Sequence, residues 1–301
     1  MAPWTVDDIP DQTGRTALVT GANSGLGLHT SLALARRGAR VLMACRNPAR
    51  AGEALSRVTD EVPGSKAELV QLDLASLDSV RAAAGDVAGR IGSLDVLVDN
   101  AGVMAIPRAQ TADGFEMQLG TNHLGHFALT GLLLPVLLAA AQPRVVVVSS
   151  DAHKIGRIRF EDLMAEKSYG RWSAYGQSKL ANLLFMHELD KRARGQLTAV
   201  AAHPGYAATN LQSNYGNPVV DLFMRIGNRV IAQSDEAGAW PQLYAATMPD
   251  VKSGEYFGPS GMFGLRGPPH RDTPTRAASA DDAAQRLWEI SERLTGVTYP
   301  L

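Results

Sequence analysis

The chain has 301 residues, of which 45% are hydrophobic and 20% are charged, and its formal net charge is -1. A chain of this length can bury a sizeable core and forms one large domain or two small ones. Its balanced charge gives no basic surface for nucleic acid or an anionic membrane, so we expect neither partner. The one cysteine, Cys45, excludes a disulfide within the chain and suits a reducing compartment.

The apolar segments of the chain predict burial rather than insertion into a bilayer. Residues 1–12 lack the apolar stretch of a signal peptide. The longest apolar run, at 127–141, is too short to span a bilayer and is interrupted by Pro135. We therefore expect a buried helix there, no membrane span and a cytoplasmic location.

The first regular elements are a strand, a glycine-rich turn and a helix. Residues 16–20 form a short apolar run, Gly21, Gly25 and Gly27 follow it, and apolar residues then recur at helical spacing up to Gly38. Glycines let the backbone approach a diphosphate closely, and the helix N-terminus offers free N–H groups to the anion. A glycine cluster alone often marks only a turn, but between a strand and a helix it predicts a dinucleotide site.

The glycine spacing also carries a resemblance. The pattern Thr-Gly-x-x-x-Gly-x-Gly, at Thr20, Gly21, Gly25 and Gly27, resembles that of the short-chain dehydrogenase/reductase family. The segment at 151–172 is similar to the retinol-dehydrogenase-like branch in length and pattern, and further family motifs follow in order along almost the whole chain. The resemblance and the alternation of strand and helix patterns imply an α/β fold, a single doubly wound Rossmann domain with a mostly parallel seven-stranded sheet.

The same motifs predict the boundaries of the domain and of its segments. The domain covers 1–301, with an N-terminal extension at 1–13 and a substrate lid at 206–235. The last strand is expected at 254–258, before a Gly/Pro-rich loop at 259–274 and a final helix at 281–294.

The residue after the second strand bears on the cofactor. About 20 residues beyond the glycine turn, a site for NAD(H) places a carboxylate on the ribose 2′-hydroxyl, whereas an arginine accommodates a 2′-phosphate. Here the chain has Cys45 and Arg46. A guanidinium matches a phosphate in charge and in its fork of donors, so we predict NADP(H) rather than NAD(H). The alternative is that Arg46 is a solvated loop residue.

Tyr175 and Lys179 are the candidate acid/base pair. Their four-residue spacing puts both on one face of a helix, although a solvated face gives the same spacing. A nearby ammonium favours the phenolate and lowers the tyrosine pKa from its reference value of about 10. The resemblance implies two further catalytic residues: Ser150, which would hydrogen-bond the substrate oxygen, and Asn122, which would position a water between the lysine and solvent.

The resemblance also implies the cofactor contacts. Asp73 is either an adenine contact or a helix cap. Asp99 stands where the family usually has Asn, which we expect to alter local hydrogen bonding more than cofactor contact. The predicted set is Gly21, Asn23, Ser24, Gly25, Leu26, Gly27, Arg46, Asn47, Asp73, Leu74, Asn100, Ala101, Gly102, Tyr175, Lys179, Pro204, Gly205 and Thr209. We expect no metal, because His123 and His126 have no third ligand at suitable spacing.

Together these motifs predict an NADP(H)-dependent oxidoreductase that interconverts a carbonyl and an alcohol. The partner is a small molecule, and the apolar residues of the lid favour an apolar aldehyde, ketone or alcohol. Two other classes stay open: a non-catalytic NADP-binding regulatory or scaffold protein, and a C=C reductase on the same fold. A homodimer or homotetramer is also open, because the apolar helices at 127–141 and 175–194 suit a subunit interface or a monomer core equally.

Overall fold

A computed structural model describes residues 3–205, 235–261, 264 and 266–301. The lid predicted at 206–235 lies, apart from Asp235, outside the described residues, and so does Thr209. The strands are β1 (Thr16–Thr20), β2 (Arg40–Cys45), β3 (Lys66–Gln71), β4 (Val96–Asp99), β5 (Arg144–Val148), β6 (Thr198–Ala202), β7 (Tyr256–Gly261) and β8 (Arg266–Asp272). They form one sheet in the order β3-β2-β1-β4-β5-β6-β7-β8.

Helices cover both faces of this sheet. They are α1 (Gly25–Arg36), α2 (Pro48–Glu61), α3 (Leu77–Arg90), α4 (Met117–Leu119), α5 (Gly125–Leu138), α6 (Arg171–Ala193), α7 (Asp235–Gly238), α8 (Trp240–Thr247) and α9 (Asp281–Thr295). One core packs α3, α5, α6 and α9 against the sheet, and a second packs α1, α2 and α8 against the opposite face. The strand order reverses between β1 and β4, so the predicted doubly wound α/β fold is confirmed.

The predicted count of seven strands is wrong by one. Strands β1 to β7 pair in parallel, and β8 adds an antiparallel edge strand to β7. This eighth strand lies within the segment expected to be a loop at 259–274. Pro268 and Pro269 argue against a central strand, but an edge strand tolerates prolines because one of its sides needs no donors.

The apolar pattern of α5 and α6 is explained by packing within the chain. The ring of Trp288, on α9, lies 5.1 Å from Phe127 of α5 and 5.9 Å from Phe185 of α6. Tyr299 follows α9, and its hydroxyl donates to the backbone oxygen of Phe127. Its ring occupies the space beside Gly131, where an added Cβ would lie 2.6 Å away. The C-terminal segment therefore covers part of α5 and α6, the helices that the sequence assigned equally to a subunit interface or a monomer core.

The buried helix expected at 127–141 is confirmed as α5. The helical stretch Met117–Leu138, which includes it, is long and apolar enough to cross a bilayer by length and composition, but 78% of its apolar window is buried inside the fold. A core helix passes the same test, so this stretch is weak grounds for a membrane span.

Part of the N-terminal extension, within residues 3–13, packs against the rest of the fold. Val6–Asp8 forms a 3-10 turn capped by Thr5, and Ile9 is buried in the core against α1 and α8. The ring of Trp4 lies 5.6 Å from that of Tyr244.

Candidate active site

A cavity of about 350 Å³ opens at the carboxyl ends of β1, β4 and β5, beside the reversal of strand order. Parallel α/β sheets bind their ligands at this edge. The predicted residues that line it are Gly21, Asn23, Ser24, Gly25, Leu26, Gly27, Arg46, Asp73, Leu74, Asn100, Ala101, Gly102, Tyr175, Lys179 and Pro204. Asn47 and Gly205 are not part of the lining, and neither are the predicted catalytic residues Asn122 and Ser150. The side chain of Asn47 instead caps α2 by accepting from Arg50 N at 3.0 Å.

Sequence reasoning missed several other wall residues. They are Ala44, Leu72, Val103, Met104, Thr121, Val148 and Ser149. Ala44, Leu72, Val148 and Ser149 lie within one residue of the end of a strand, whereas Val103, Met104 and Thr121 lie further along the loops and the helical turn that follow β4.

The glycine turn forms a close-packed cradle. An added Cβ on Gly27 would lie 2.4 Å from the backbone oxygen of Gly21 and 2.7 Å from Nδ2 of Asn100. Gly21 and Gly25 adopt φ of +68° and +53°, a region that favours glycine. Ser24 precedes α1 without making a side-chain cap, which leaves the first N–H groups of that helix available to an anion. These features fit the diphosphate of a dinucleotide.

Thr20 joins the turns that follow β1 and β4. Its hydroxyl oxygen accepts from the backbone N–H groups of Asn100 and Ala101, each at 2.9 Å. In return, Nδ2 of Asn100 donates to the backbone oxygen of Thr20 at 2.8 Å. The two turns therefore form one rigid wall of the cavity.

Arg46 is exposed at the rim of the cavity, directly after β2. Its backbone oxygen accepts from Nε2 of Gln71 at 2.8 Å, and within the described ranges its guanidinium has no hydrogen bond or ion pair. By contrast, the guanidinium groups of Arg36 and Arg57 both pair with Glu61. The Arg46 guanidinium is thus free to bind a phosphate.

Asp73 does not cap the helix that follows it. Its carboxylate accepts from Ala75 N at 3.0 Å, while Ser76 caps α3 by accepting from Ser79 N at 3.3 Å. The helix-cap interpretation of Asp73 is therefore wrong, and Asp73 lies in the cavity wall.

Tyr175 and Lys179 both face the cavity from α6. The nearby side chain of Ser150 lowers the pKa of the Tyr175 phenol, but burial is the larger effect and raises the pKa above the ordinary value. Nζ of Lys179 donates to the backbone oxygen of Val148 at 3.0 Å and lies 5.8 Å from the centroid of the Tyr175 ring. The lowering of the tyrosine pKa that we expected from Lys179 does not outweigh burial, which raises that pKa. Burial also lowers the pKa of Lys179 to about 8.

Two glycines hold the turn that bears Ser150 against α6. Ser150 caps the 3-10 turn Asp151–Ile155 by accepting from Ala152 N at 3.2 Å. An added Cβ on Gly156 would lie 2.3 Å from the backbone oxygen of Gly176, and one on Gly176 would lie 2.8 Å from that of Ala152. The close approach of backbone to backbone brings Ser150 to the tyrosine one residue before Gly176.

Asn122 lies in a π-turn, Gly120–Leu124, between α4 and α5. Its side-chain oxygen accepts from Val103 N at 2.8 Å, and its Nδ2 donates to Val103 O and to Oγ of Ser178, each at 2.9 Å. These bonds offset the poor helix propensity of asparagine. An added Cβ on Gly102 would lie 3.1 Å from Oδ1 of Asn122 and 3.5 Å from Nζ of Lys179, so the three residues meet at one point.

Three other ionisable groups near the site, His123, His126 and Asp99, are buried and uncharged at neutral pH. Burial lowers the pKa of His123 to about 3 and that of His126 to about 4. It raises the pKa of Asp99 to about 8; one carboxyl oxygen of Asp99 accepts from Thr130 Oγ1 at 3.0 Å. Over the part of the chain that the structure describes, no group of His, Cys, Asp and Glu side chains is arranged to hold a metal ion.

A doubly wound sheet with a glycine cradle and a Tyr–Lys pair at its carboxyl edge defines a dinucleotide-dependent dehydrogenase. Comparison with known proteins narrows this class. The family model for short chain dehydrogenases matches residues 15–219. Retinol dehydrogenase 14 of Mus musculus is 43% identical over 299 residues, which cover 94% of this chain and 86% of that protein.

Solved structures of similar proteins support the same family assignment. A crystal structure of an uncharacterized protein from Mycobacterium paratuberculosis is 43% identical, with a TM-score of 0.83 and complete coverage of both chains. A dehydrogenase structure from Beutenbergia cavernae with bound NADP is 26% identical, with a TM-score of 0.62, and covers 79% of this chain and 91% of that one. The chain therefore belongs to the short-chain dehydrogenase family of oxidoreductases, in its retinol-dehydrogenase-like branch.

Proposed function

We propose that the protein uses NADP(H) to interconvert a carbonyl and an alcohol. The observation that carries the proposal is the position of Tyr175, which faces the same cavity as the glycine cradle and lies beside Ser150. In this cavity the glycine turn and Arg46 would hold the cofactor, which supplies the hydride chemistry when bound.

Tyr175 and Lys179 in the cavity wall, with Ser150 and Asn122 behind them, would then divide the proton chemistry. Ser150 and Tyr175 hydrogen-bond the substrate oxygen, and Tyr175 gives its proton to that oxygen in reduction or takes one in oxidation. Burial keeps the phenol protonated at neutral pH, which suits donation to a carbonyl. Lys179 binds the cofactor ribose, and its pKa of about 8 lets it pass a proton near neutral pH. Asn122 positions a water that connects the lysine to solvent.

The preference for NADP(H) over NAD(H) rests on Arg46. Its exposed guanidinium has no partner in the described ranges, no carboxylate follows β2, and the Beutenbergia cavernae relative was solved with NADP. We expect Arg46→Ala to weaken NADPH binding by ~10- to 100-fold in a fluorescence titration and to leave NADH binding within about twofold. Arg57→Ala, on α2 and away from the cavity, is the matched control. Equal loss for both nucleotides would contradict a contact with the 2′-phosphate.

An apolar substrate is supported by the surface next to Tyr175. Trp172 and Ile155 are exposed by 43% and 63%, unusual for large hydrophobic side chains, and the Trp172 ring lies edge-on to Tyr175 with centroids 6.1 Å apart. The related mouse protein is named for retinol, an apolar alcohol. We therefore propose apolar aldehydes, ketones or alcohols as substrates. The lid at 206–235, the cytoplasmic location and a homodimer or homotetramer remain predictions.

Tyr175→Phe tests the proposed chemistry. Because proton transfer by a placed side chain contributes ~10²- to 10⁴-fold, we expect kcat to fall by that range while the Kd for NADPH stays within about twofold. Tyr244→Phe, whose hydroxyl bonds Asp250 away from the cavity, should keep full activity. Oxidation of NADPH by apolar carbonyls, followed by product analysis, distinguishes the alternatives. When the substrate is an α,β-unsaturated carbonyl, a saturated carbonyl product would indicate a C=C reductase. NADPH binding without turnover would indicate a regulatory protein.

A further inference from the structure

His203 lies where β6 ends and the Pro204–Gly205 segment begins. Its side chain is fully buried, and Pro204 is part of the cavity wall. The backbone N–H of His203 donates to Phe257 O at 2.9 Å, which fixes the end of β6 against β7. None of the proposed chemical steps uses this histidine.

The two ring nitrogens of His203 have different partners. Nδ1 accepts from the backbone N–H of Gly205 at 3.3 Å, so it carries no proton. Nε2 therefore carries the proton and donates to Oδ2 of Asp272 at 3.0 Å. The hydrogen bond from His203 is the largest of the effects that lower the pKa of Asp272 to about 2, so this carboxylate is ionised.

Neighbouring strands fix the plane of the ring. The ring of Tyr256, on β7, lies 5.1 Å from that of His203 at an angle of 32°. An added Cβ on Gly258 would lie 1.9 Å from Nε2, so only glycine leaves room for the imidazole at this point of β7. Asp272 is held in turn, because its Oδ1 accepts from Thr273 N at 2.7 Å. A second carboxylate near the ring is that of Asp151, whose Oδ2 lies 3.9 Å from Nδ1.

We infer that His203 and Asp272 form a positioning pair for the cofactor. Asp272 selects the tautomer of His203, and Nδ1 then holds the amide of Gly205 in its turn, where φ is +66°. This hydrogen bond sets the Pro204 wall of the cavity, so the pair acts on cofactor binding without touching the reacting atoms. Strand β8 thereby contributes to the site from the edge of the sheet. The inference rests on the proposed function for the identity of the cofactor.

Two substitutions of similar size separate the two hydrogen bonds. The amide of His203→Asn reaches the position of Nδ1 and can accept from Gly205, whereas that of His203→Gln reaches the position of Nε2 and can bond only Asp272. We expect His203→Gln to raise the Kd for NADPH by ~10-fold, with kcat at saturating NADPH within about threefold of wild type. His203→Asn should keep the Kd within about threefold. Asp272→Leu should resemble His203→Gln, because the tautomer is no longer selected.

Hydrogen exchange at Gly205 gives a second measurement that needs no cofactor. Its amide should exchange slowly in the wild type and in His203→Asn, and ~10-fold faster in His203→Gln. Equal exchange in both variants, or an unchanged Kd in His203→Gln and Asp272→Leu, would overturn the inference. A wild-type protein that binds neither NADPH nor NADH would refute the proposed function and with it the cofactor role of the pair. The exchange pattern would still decide whether the bond to Gly205 exists.

Discussion

Asp99 should make the protein less stable as the pH rises, and replacing it with asparagine should remove this effect. The carboxyl is buried at the end of β4; Thr130 donates to Oδ2, and Oδ1 has no partner among the described residues. Burial raises its pKa from 3.8 to about 8. Between these values the native state keeps the proton while the unfolded chain releases it, so stability is full below pH 3.8 and is lost as the pH rises towards 8.

The size of the effect follows from the shift. pH 7 lies about three units above the pKa of this carboxyl in the unfolded chain, and each unit corresponds to about 1.4 kcal/mol. The loss of stability at pH 7 therefore has an upper limit of about 4 kcal/mol. An asparagine at this position has no proton to lose, and its oxygen can still accept from Thr130. We therefore expect Asp99→Asn to exceed the wild type in free energy of unfolding by an amount that grows steadily from pH 5 to pH 8.

Urea unfolding at pH 5, 6, 7 and 8, at constant ionic strength, measures this difference. Asp60→Asn, on the exposed face of α2, is the control and should show no such trend. A constant difference between Asp99→Asn and the wild type across these pH values would refute the reasoning, because it would mean that Asp99 does not keep its proton in the native state.

Two further predictions concern the site. Lys179→Met should abolish activity yet stabilise the fold at pH 7 by up to about 3 kcal/mol, because burial lowers the lysine pKa from 10.5 to about 8. Between these two pKa values the unfolded chain keeps the proton and the native state releases it. In urea unfolding, wild-type stability should therefore rise from pH 8 to pH 10 and approach that of the variant. A variant that is less stable than the wild type at pH 7 would contradict burial as the cause of the lowered pKa. Trp172→Ala should raise the KM for an apolar aldehyde by ~5- to 10-fold and leave that for a short polar aldehyde within about twofold, and equal changes in steady-state kinetics would exclude Trp172 as an apolar contact.

The parts of the site that follow local rules could be predicted from the sequence. The cradle at Gly21, Gly25 and Gly27 needs only a strand, a turn and a helix in succession. Tyr175 and Lys179 share a face because they lie four residues apart on one helix. In each case the atoms that matter are neighbours along the chain, and their geometry is set by the element that carries them.

Features that depend on distant parts of the chain could not be predicted. Strand β8 contains Gly267, Pro268 and Pro269, and it is a strand only because β7 offers it an edge. The raised pKa of Tyr175 depends on the depth of its burial, and the position of the Lys179 ammonium depends on its bond to Val148. No spacing in the sequence reports either quantity. The position of Ser149 in the wall also depends on a distant contact, because its hydroxyl donates to the backbone oxygen of Lys179, 30 residues later.

The packing of Tyr299 on α5 sets an order for folding during synthesis. Its hydroxyl bonds Phe127, which lies 172 residues earlier, and its ring fills the space beside Gly131. A nascent chain on the ribosome therefore presents the apolar side of α5 to solvent until α9 and Tyr299 have emerged. Chains that terminate before this segment keep the apolar side of α5 exposed. We expect them to aggregate or to be degraded rather than to accumulate as a shortened enzyme.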